Sequence, residues 1–345
     1  SGQGNREALA KEQLEDESLV EAFNFARRQK DNYLIKDGLL YRREFHCGRE
    51  LLNLVVPRSR RLEVLKLAHD TCHFAGKRTY ERIILSGLTW GPSKLGGTVR
   101  SDSIDYAAKC PTCQLHARTT CFDRVPIQAV PRDAVVFRHF YMDVFGPICP
   151  NEKLRYNFAL VIICSASRYP FVYPLSVVNT KSICEALLKM FEVTGIASEM
   201  VLTSDNASYF RSALMTEFTK RLGITPRFST PYHSEGHALV ERSVQTMQRL
   251  IVKLAGEHRN GWTSFLGPAL WAVREVPNAT TGLPPHLLAF GQLRSGPLAI
   301  LRETWTGERD LPVKLPVGAA GYLTDLREKL VAAGEYAEQH TKAEQ

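Results

Sequence analysis

Apolar residues recur along most of the chain in short runs and alternating stretches, and this pattern predicts many short strands and amphipathic helices. Between residues 137 and 175, three apolar runs predict three successive strands. From residue 181 to residue 255 the pattern alternates between helical and strand-like periods. Three strands followed by alternating helices and strands predict a mixed α/β sheet in this part of the chain.

The residues before this sheet follow a different pattern. Residues 14–58 predict a helix and then short strands, with Asp37-Gly38 as the hairpin turn between the first two. Residues 59–122 predict three helices with few apolar positions. Residues 123–134 carry two prolines and predict a linker, so the expected order is a small α+β extension, a helical domain, a linker and the sheet domain at 135–295.

The two ends of the chain predict little globular structure. Residues 1–13 begin with Ser-Gly-Gln-Gly and are expected to be a tag remnant or disordered. Residues 296–345 are rich in Pro and Gly and predict a linker, followed by a closing helix near residues 323–338.

Composition excludes several classes of protein. The 345 residues are 44% hydrophobic and 23% charged, which excludes a disordered tail protein and predicts several buried cores. The longest apolar run, residues 158–164, is much shorter than the roughly 20 residues that span a bilayer, so no membrane association is expected.

The charge is unevenly distributed. The formal net charge is +8, and all of the excess lies between residues 59 and 295. A basic surface on the middle of the chain suggests a polyanionic partner, since binding to nucleic-acid phosphates releases counterions. Surface charge that only keeps a protein soluble explains a net charge of +8 equally well.

Two histidines and two cysteines in the helical segment have the spacing of metal ligands. His69 and His73 are four residues apart, and Cys110 and Cys113 frame a Cys-x-x-Cys pair. Two imidazoles and two thiolates form the tetrahedral set that zinc prefers in structural sites. The alternatives are surface histidines with a redox-type cysteine pair, or a set in which Cys72 is a ligand.

Three acidic residues form a second candidate site. Asp143 interrupts an apolar strand, in which alternation places Phe140 and Met142 on one face and Asp143 on the other. Asp205 follows a short buried strand, and Glu241 lies on a long amphipathic helix beside a core face of Val240, Val244, Met247, Ile251 and Leu254. Such acids can converge on hard divalent cations, although each one separately is more often a cap or an ion-pair partner.

These segments resemble a known family. The motifs around Asp143, Leu202-Thr203-Ser204-Asp205-Asn206 and Leu239-Val240-Glu241-Arg242 are similar to the D,D-35-E core of retroviral and retrotransposon integrases, and 35 residues separate Asp205 from Glu241. Residues 62–113 resemble the HHCC zinc domain that precedes this core, and residues 33–69 resemble the amino-terminal extension of gypsy-like elements. We expect no counterpart of the family's carboxy-terminal β-barrel in this sequence.

The resemblance implies a fold, cofactors and an activity. It implies a ribonuclease-H-like core with a mixed five-stranded sheet. It also implies two Mg²⁺ or Mn²⁺ ions, held by Asp143, Asp205 and Glu241. One structural Zn²⁺ would be held by His69, His73, Cys110 and Cys113. The implied activity of such an integrase is 3′-end processing of element DNA and strand transfer into target DNA, performed in the nucleus by a homo-oligomer, either a dimer or a tetramer.

Residues near the acids are candidate DNA contacts. Those expected to face DNA are Tyr232, His237, Gln245, Arg249, Lys77 and Arg78, with Arg60, Arg61 and Arg82 as further basic candidates. A solvated helix face explains Arg249 equally well. Three other functions remain open: a cut-and-paste transposase with the same three acids, a domesticated integrase-derived protein that binds DNA without activity, and a zinc-finger recognition module.

Overall fold

The computed structural model describes residues 2–46, 49–91, 97–115, 135–149, 154–228, 235–278, 281–291 and 296–308, and for residues 2, 3 and 235–241 it describes the backbone alone. The chain divides into two units. The amino-terminal unit comprises Ser1–Gln114 with Ser295–Gln345, and the core unit comprises Leu115–Arg294.

The amino-terminal unit is built on a four-stranded sheet in the order β1-β2-β3-β4. Its described helices and strands are α1 (Gly2–Glu15), α2 (Val20–Arg27), β1 (Tyr33–Lys36), β2 (Leu39–His46), β3 (Arg49–Val55), α3 (Arg58–His69), α4 (Gly76–Leu85), β4 (Leu88–Thr89), α5 (Val99–Lys109), α6 (Pro111–Leu115) and α12 (Pro297–Thr306). Lys36 pairs with Leu39, which confirms the Asp37-Gly38 hairpin. Both turn residues have positive φ, as a two-residue hairpin of this kind requires.

The expected division into an extension and a separate helical domain at residue 58 is wrong. β3 pairs in parallel with β4, so one sheet crosses the proposed boundary. The two segments also share one hydrophobic core, in which Leu39 and Leu54 lie with Val64, Ile83 and Trp90. The expectation of few apolar anchors in residues 59–122 is therefore also wrong, because the anchors are spread over three helices and a two-residue strand.

Residues 1–13 were expected to lack structure, and this expectation is wrong. Most of them lie in α1, where the Leu9 side chain is fully buried. The Gln13 side chain is also buried, donating to the backbone oxygen of Val55 at 2.6 Å and accepting from the backbone N–H of Leu40 at 2.9 Å. A helix anchored by one leucine and one hydrogen-bonded glutamine displays no apolar period, because few of its positions are buried.

The segment after residue 296 was expected to be a linker, but it begins with α12. Leu298, Leu301 and Trp305 of this helix are buried in the core of the amino-terminal unit, and the Arg60 guanidinium lies 4.9 Å from the Trp305 ring centroid. Pro297 starts the helix and Gly307 ends it with a φ of 73°, so the Pro and Gly that suggested a loop are the helix boundaries. The predicted helix at 323–338 and the predicted linker at 123–134 lie outside the described residues.

The core unit contains the predicted mixed five-stranded sheet, in the order β7-β6-β5-β8-β9. Its elements are β5 (His139–Phe145), β6 (Phe158–Cys164), β7 (Pro170–Leu175), α7 (Thr180–Thr194), β8 (Val201–Ser204), α8 (Ala213–Arg221), β9 (Thr225–Phe228), α9 (Glu235–His258), α10 (Trp262–Glu275) and α11 (Pro285–Phe290). β5, β6 and β7 are antiparallel, whereas β8 runs parallel to both β5 and β9. α10 and α11 were not predicted from the sequence pattern.

Each face of β5 packs as the alternation predicts. Phe140 and Met142 are buried in a core that includes residues of α7 and α8. On the other face α9 packs against β5 and β6. The predicted apolar face of α9 is buried at Val244, Met247, Ile251 and Leu254, and the side chain of Val240 lies outside the described residues.

None of the described helices is both long enough and apolar enough to cross a membrane. The longest, α9, has 24 residues and carries charged side chains along its length.

The packing of α12 predicts that a residue after the core unit stabilises the amino-terminal unit. Leu301→Ala is expected to destabilise this unit by about 2–5 kcal/mol, since Leu301 is only 2% exposed and truncation leaves a cavity. Leu62→Ala on α3 is the matched control, because Leu62 is 54% exposed. Amide hydrogen exchange of α3 and β3 measures the effect, and equal protection in the two variants would contradict this packing.

Candidate functional site

Asp143 and Asp205 lie at the same edge of the sheet. β5 and β8 run in the same direction, with Tyr141 opposite Thr203, so the position two residues further along each strand is Asp143 on one and Asp205 on the other. Neighbouring strands are about 4.8 Å apart. Asp143 is half-buried and Asp205 is exposed, with its Oδ1 accepting from the backbone N–H of Ala207 at 3.3 Å.

A glutamine of α9 orients the Asp143 carboxylate. Gln248 Nε2 donates to Asp143 Oδ2 at 2.9 Å across a sequence separation of 105 residues. Glu241 precedes Gln248 by seven residues, which places its backbone on the same side of α9 about 10 Å along the helix axis. The side chain of Glu241 lies outside the described residues, so its place at this edge stays a prediction.

Tyr209 lies near enough to both acids to respond to their charge, and no sequence pattern marked it. Its side chain is half-buried, and its backbone oxygen accepts from Thr180 Oγ1 at 3.0 Å. Burial raises the pKa of the Tyr209 hydroxyl, and the negative charges of Asp205 and Asp143 raise it further. One phenol that responds to both carboxylates indicates that the two acids share one electrostatic environment. No spacing rule in the sequence marks Tyr209, which lies in the loop between β8 and α8.

The donor set at this edge suits a hard divalent cation. Aspartate oxygens are the ligands that Mg²⁺ and Mn²⁺ take, and the exposure of Asp205 leaves room for the waters that Mg²⁺ retains. The hydrogen bond from Gln248 occupies one oxygen of Asp143 and fixes the orientation of its carboxylate.

The second candidate site lies in the amino-terminal unit, where the structure brings the predicted His and Cys residues together. The ligand atoms of His69, His73, Cys110 and Cys113 all lie within 4.8 Å of one another. His73 Nδ1 is 3.3 Å from Cys110 Sγ, and His69 Nε2 is 3.5 Å from Cys113 Sγ. Ligands at 2.0–2.3 Å from a tetrahedral ion are roughly 3.3–3.8 Å apart, so these separations fit zinc. Cys72 is buried, and this group of four does not include it.

Neighbouring side chains set the histidine orientation. Thr79 Oγ1 donates to the backbone oxygen of Phe74 at 3.1 Å and lies 3.4 Å from His69 Nδ1. Its proton is thereby engaged, so the Nδ1–H of His69 donates to Thr79 and Nε2 is left to bind a metal. The Tyr106 ring packs edge-on against His69, and its hydroxyl donates to Asp70 at 3.1 Å.

The surroundings of Cys110 lower the pKa of its thiol. Burial alone would raise its pKa, but hydrogen bonds from the Cys113 backbone N–H and from His73 outweigh burial and lower the pKa of Cys110. Metal binding requires the thiolate form, so this environment favours a cation.

The basic candidates of the amino-terminal unit differ in their freedom to reach DNA. Lys77 is exposed and faces Glu81 at 4.0 Å, and the Arg78 guanidinium lies over the Phe74 ring, where burial lowers its pKa. Arg60, Arg61 and Arg82 were expected as further DNA contacts, and their packing contradicts this. The Arg60 guanidinium is paired with Glu12 and stacked on Trp305, whereas Arg61 and Arg82 are 6% and 1% exposed.

The DNA contacts predicted around α9 are partly described. Arg249 is exposed and Gln245 is half-buried, and both lie on the described part of α9. Tyr232 and the side chain of His237 lie outside the described residues. These four contacts therefore stay predictions.

Part of the core unit is similar to a known protein family. Residues 135–234, which include β5, β8, Asp143 and Asp205, match the family described as the integrase core domain. This stretch is similar to that family, and the predicted resemblance to retroviral and LTR-retrotransposon integrases is confirmed.

Curated relatives are large polyproteins. Over 246 residues the chain is 28% identical to the Pro-Pol polyprotein of simian foamy virus type 3, a match that covers 71% of this chain and 20% of that polyprotein. Over 270 residues it is 23% identical to the Transposon Tf2-3 polyprotein of Schizosaccharomyces pombe, covering 76% and 19%. The chain thus spans about a fifth of the length of these relatives.

Solved structures with some similarity include an intasome and an isolated core. The simian T-cell lymphotropic virus intasome, in complex with the PP2A regulatory subunit B56 gamma, aligns with a TM-score of 0.46 at 14% identity, covering 73% of this chain and 75% of that chain. The catalytic core domain of BIV integrase aligns with a TM-score of 0.37 at 17% identity, covering 45% and 95%.

The shared environment of the two aspartates predicts a change in the Tyr209 titration. Asp205→Asn and Asp143→Asn each remove a negative charge, so each is expected to lower the pKa of Tyr209 toward its ordinary value near 10. The titration is followed by NMR of labelled tyrosines, with Tyr209→Phe identifying the signal. Glu192→Gln is the matched control, since Glu192 raises the pKa of Tyr173 instead. A Tyr209 titration unchanged by both Asn variants would contradict the arrangement.

Proposed function

We propose that this chain is a DNA integrase of an LTR retrotransposon, which removes terminal nucleotides from element DNA and joins the new 3′ ends to target DNA. The observation that carries the proposal is the placement of Asp143 and Asp205 at one sheet edge, inside the segment that matches the integrase core domain. The polyprotein relatives favour this activity over a cut-and-paste transposase.

Asp143, Asp205 and Glu241 would hold two divalent cations, Mg²⁺ or Mn²⁺. In such a site the metal would supply activation of a water or a 3′-hydroxyl and stabilisation of the leaving oxygen of an in-line displacement. Gln248 keeps the Asp143 carboxylate in one orientation through its 2.9 Å hydrogen bond. The half-buried Tyr209 phenol is neutral at physiological pH even at the ordinary tyrosine pKa near 10, and the two acids raise its pKa further, so it can donate a hydrogen bond beside them.

The proposed substrates are the ends of the element DNA and the target DNA. The proposed active form is a homo-oligomer that acts in the nucleus. The excess of basic residues between residues 59 and 295 supports a polyanionic partner. Two DNA ends must be joined to one target, so an assembly of more than one chain suits the reaction.

Isosteric substitution of the three acids tests this function. Asp143→Asn, Asp205→Asn and Glu241→Gln are each expected to lower cleavage and joining by about 100-fold or more, because a catalytic metal contributes several kcal/mol to the transition state. The assay supplies Mg²⁺ or Mn²⁺ with labelled terminal-repeat ends and resolves shortened and joined products. Glu192→Gln, which neutralises an exposed acid of α7, is the control. Wild-type turnover in any of the three variants would remove that residue from the site.

We further propose that His69, His73, Cys110 and Cys113 hold one structural zinc ion. The ion would join the end of α3 to the α5–α6 junction, since each His and Cys pair lies at one of these places. The apolar core of the amino-terminal unit includes Val64, Ile83 and Val99, so metal removal is expected to loosen residues 99–115 rather than to unfold the whole unit.

Metal analysis of cysteine variants tests the zinc proposal. The wild-type chain is expected to contain about one zinc, Cys110→Ser and Cys113→Ser are expected to lose it, and chelation is expected to increase amide exchange in residues 99–115. Cys72→Ser is the matched control, because Cys72 is a buried cysteine outside the group of four. A full zinc content in Cys110→Ser or a loss of zinc in Cys72→Ser would require a different ligand set.

A further inference from the structure

Arg211 and Phe228 form a pair immediately beside Asp205. Phe228 is the last residue of β9 and lies opposite Ser204, the residue that precedes Asp205. Paired strands are about 4.8 Å apart, so the backbone of Phe228 is one strand away from the acid. Arg211 follows Asp205 by six residues, and its Cζ lies 5.4 Å from the centroid of the Phe228 ring.

The backbone that carries Arg211 is fixed on both sides. Phe210 is only 2% exposed and anchors the segment in the core, and the Tyr209 oxygen accepts from Thr180. The backbone N–H of Arg211 donates to the oxygen of Ser208 at 3.2 Å, and Ser212 caps the start of α8. The backbone of Arg211 is therefore held at a defined place in the segment that follows Asp205, and the guanidinium lies over the Phe228 ring.

The pair is accessible and has unused binding capacity. Arg211 is exposed and makes no ion pair with any described residue, and the Phe228 ring is 38% exposed. In contrast, Arg221 at the other end of α8 is paired with Glu217 at 2.8 Å. A guanidinium stacked on a ring keeps its N–H groups free at the rim, in the planar arrangement that binds a phosphate in bidentate fashion.

We propose that Arg211 and Phe228 form a contact surface for the DNA strand that reaches Asp205. Arg211 binds a backbone phosphate of that strand, and the Phe228 ring packs against an adjacent sugar or unpaired base. The two residues act as positioning residues. They hold the DNA strand at the edge of the sheet where Asp205 lies and do not take part in the reaction themselves. This inference rests on the integrase function proposed above.

DNA affinity measured separately from joining tests the inference. Arg211→Gln is expected to weaken DNA binding by about tenfold, the loss of one charge-assisted contact, and to make the salt slope shallower by about 0.9. Arg211→Lys keeps the charge and is expected to retain the slope but lose part of the affinity, and Phe228→Leu is expected to weaken binding without changing the slope. Arg221→Gln, which neutralises an exposed arginine of the same helix, is expected to match the wild type.

Two DNA substrates show whether the phosphate that Arg211 binds belongs to element DNA or to target DNA. Fluorescence anisotropy with a labelled terminal-repeat end, competed by plasmid target DNA, reports binding without turnover. A loss confined to the end assigns the contact to element DNA, a loss confined to the plasmid assigns it to target DNA, and either result supports the inference. Equal affinity and slope in Arg211→Gln and Arg221→Gln would overturn it. If the wild type binds DNA but joins nothing, the integrase function fails while this comparison still decides the role of Arg211.

Discussion

The parallel pairing of β5 with β8 is the constraint on which the candidate catalytic centre depends. β5, β6 and β7 form an antiparallel meander, and the chain must then cross through α7 before β8 can lie beside β5 in the same direction. Only this direction brings the carboxyl ends of the two strands, and hence Asp143 and Asp205, to one edge. A register shift of one residue would turn Asp143 into the core and would turn Phe140 and Met142 out of it.

The local patterns that depend on neighbours in sequence were predictable. The alternation around Asp143 predicted its face of β5, and the spacing of Val244, Met247, Ile251 and Leu254 predicted the buried face of α9. The four residues of the possible zinc group were identified by spacing, and they lie together. Contacts between residues far apart in sequence could not be predicted. The hydrogen bond from Gln248 to Asp143 and the position of Tyr209 near both aspartates result from tertiary packing, which no local sequence period encodes.

The amino-terminal unit was the least predictable part of the chain, for a physical reason. Its core is assembled from many elements that each contribute a few buried side chains, such as Leu9 from α1, Leu88 from β4 and Trp305 from α12. A short element with one to three anchors has no measurable amphipathic period. Its membership in a core is decided by the surfaces that it meets, and α12 meets α1 and α3, which precede it by more than 220 residues in sequence.

The return of α12 to the amino-terminal unit affects how the chain folds as it is made. The segments before and after Leu115–Arg294 contribute to one core, so that core cannot be completed until Trp305 has left the ribosome. At a synthesis rate of about 5–20 residues per second, the roughly 190 intervening residues take about 10–40 s. For that time the surface that α12 covers on α1 and α3 is open to water and to other nascent chains, while the core unit between them can already fold.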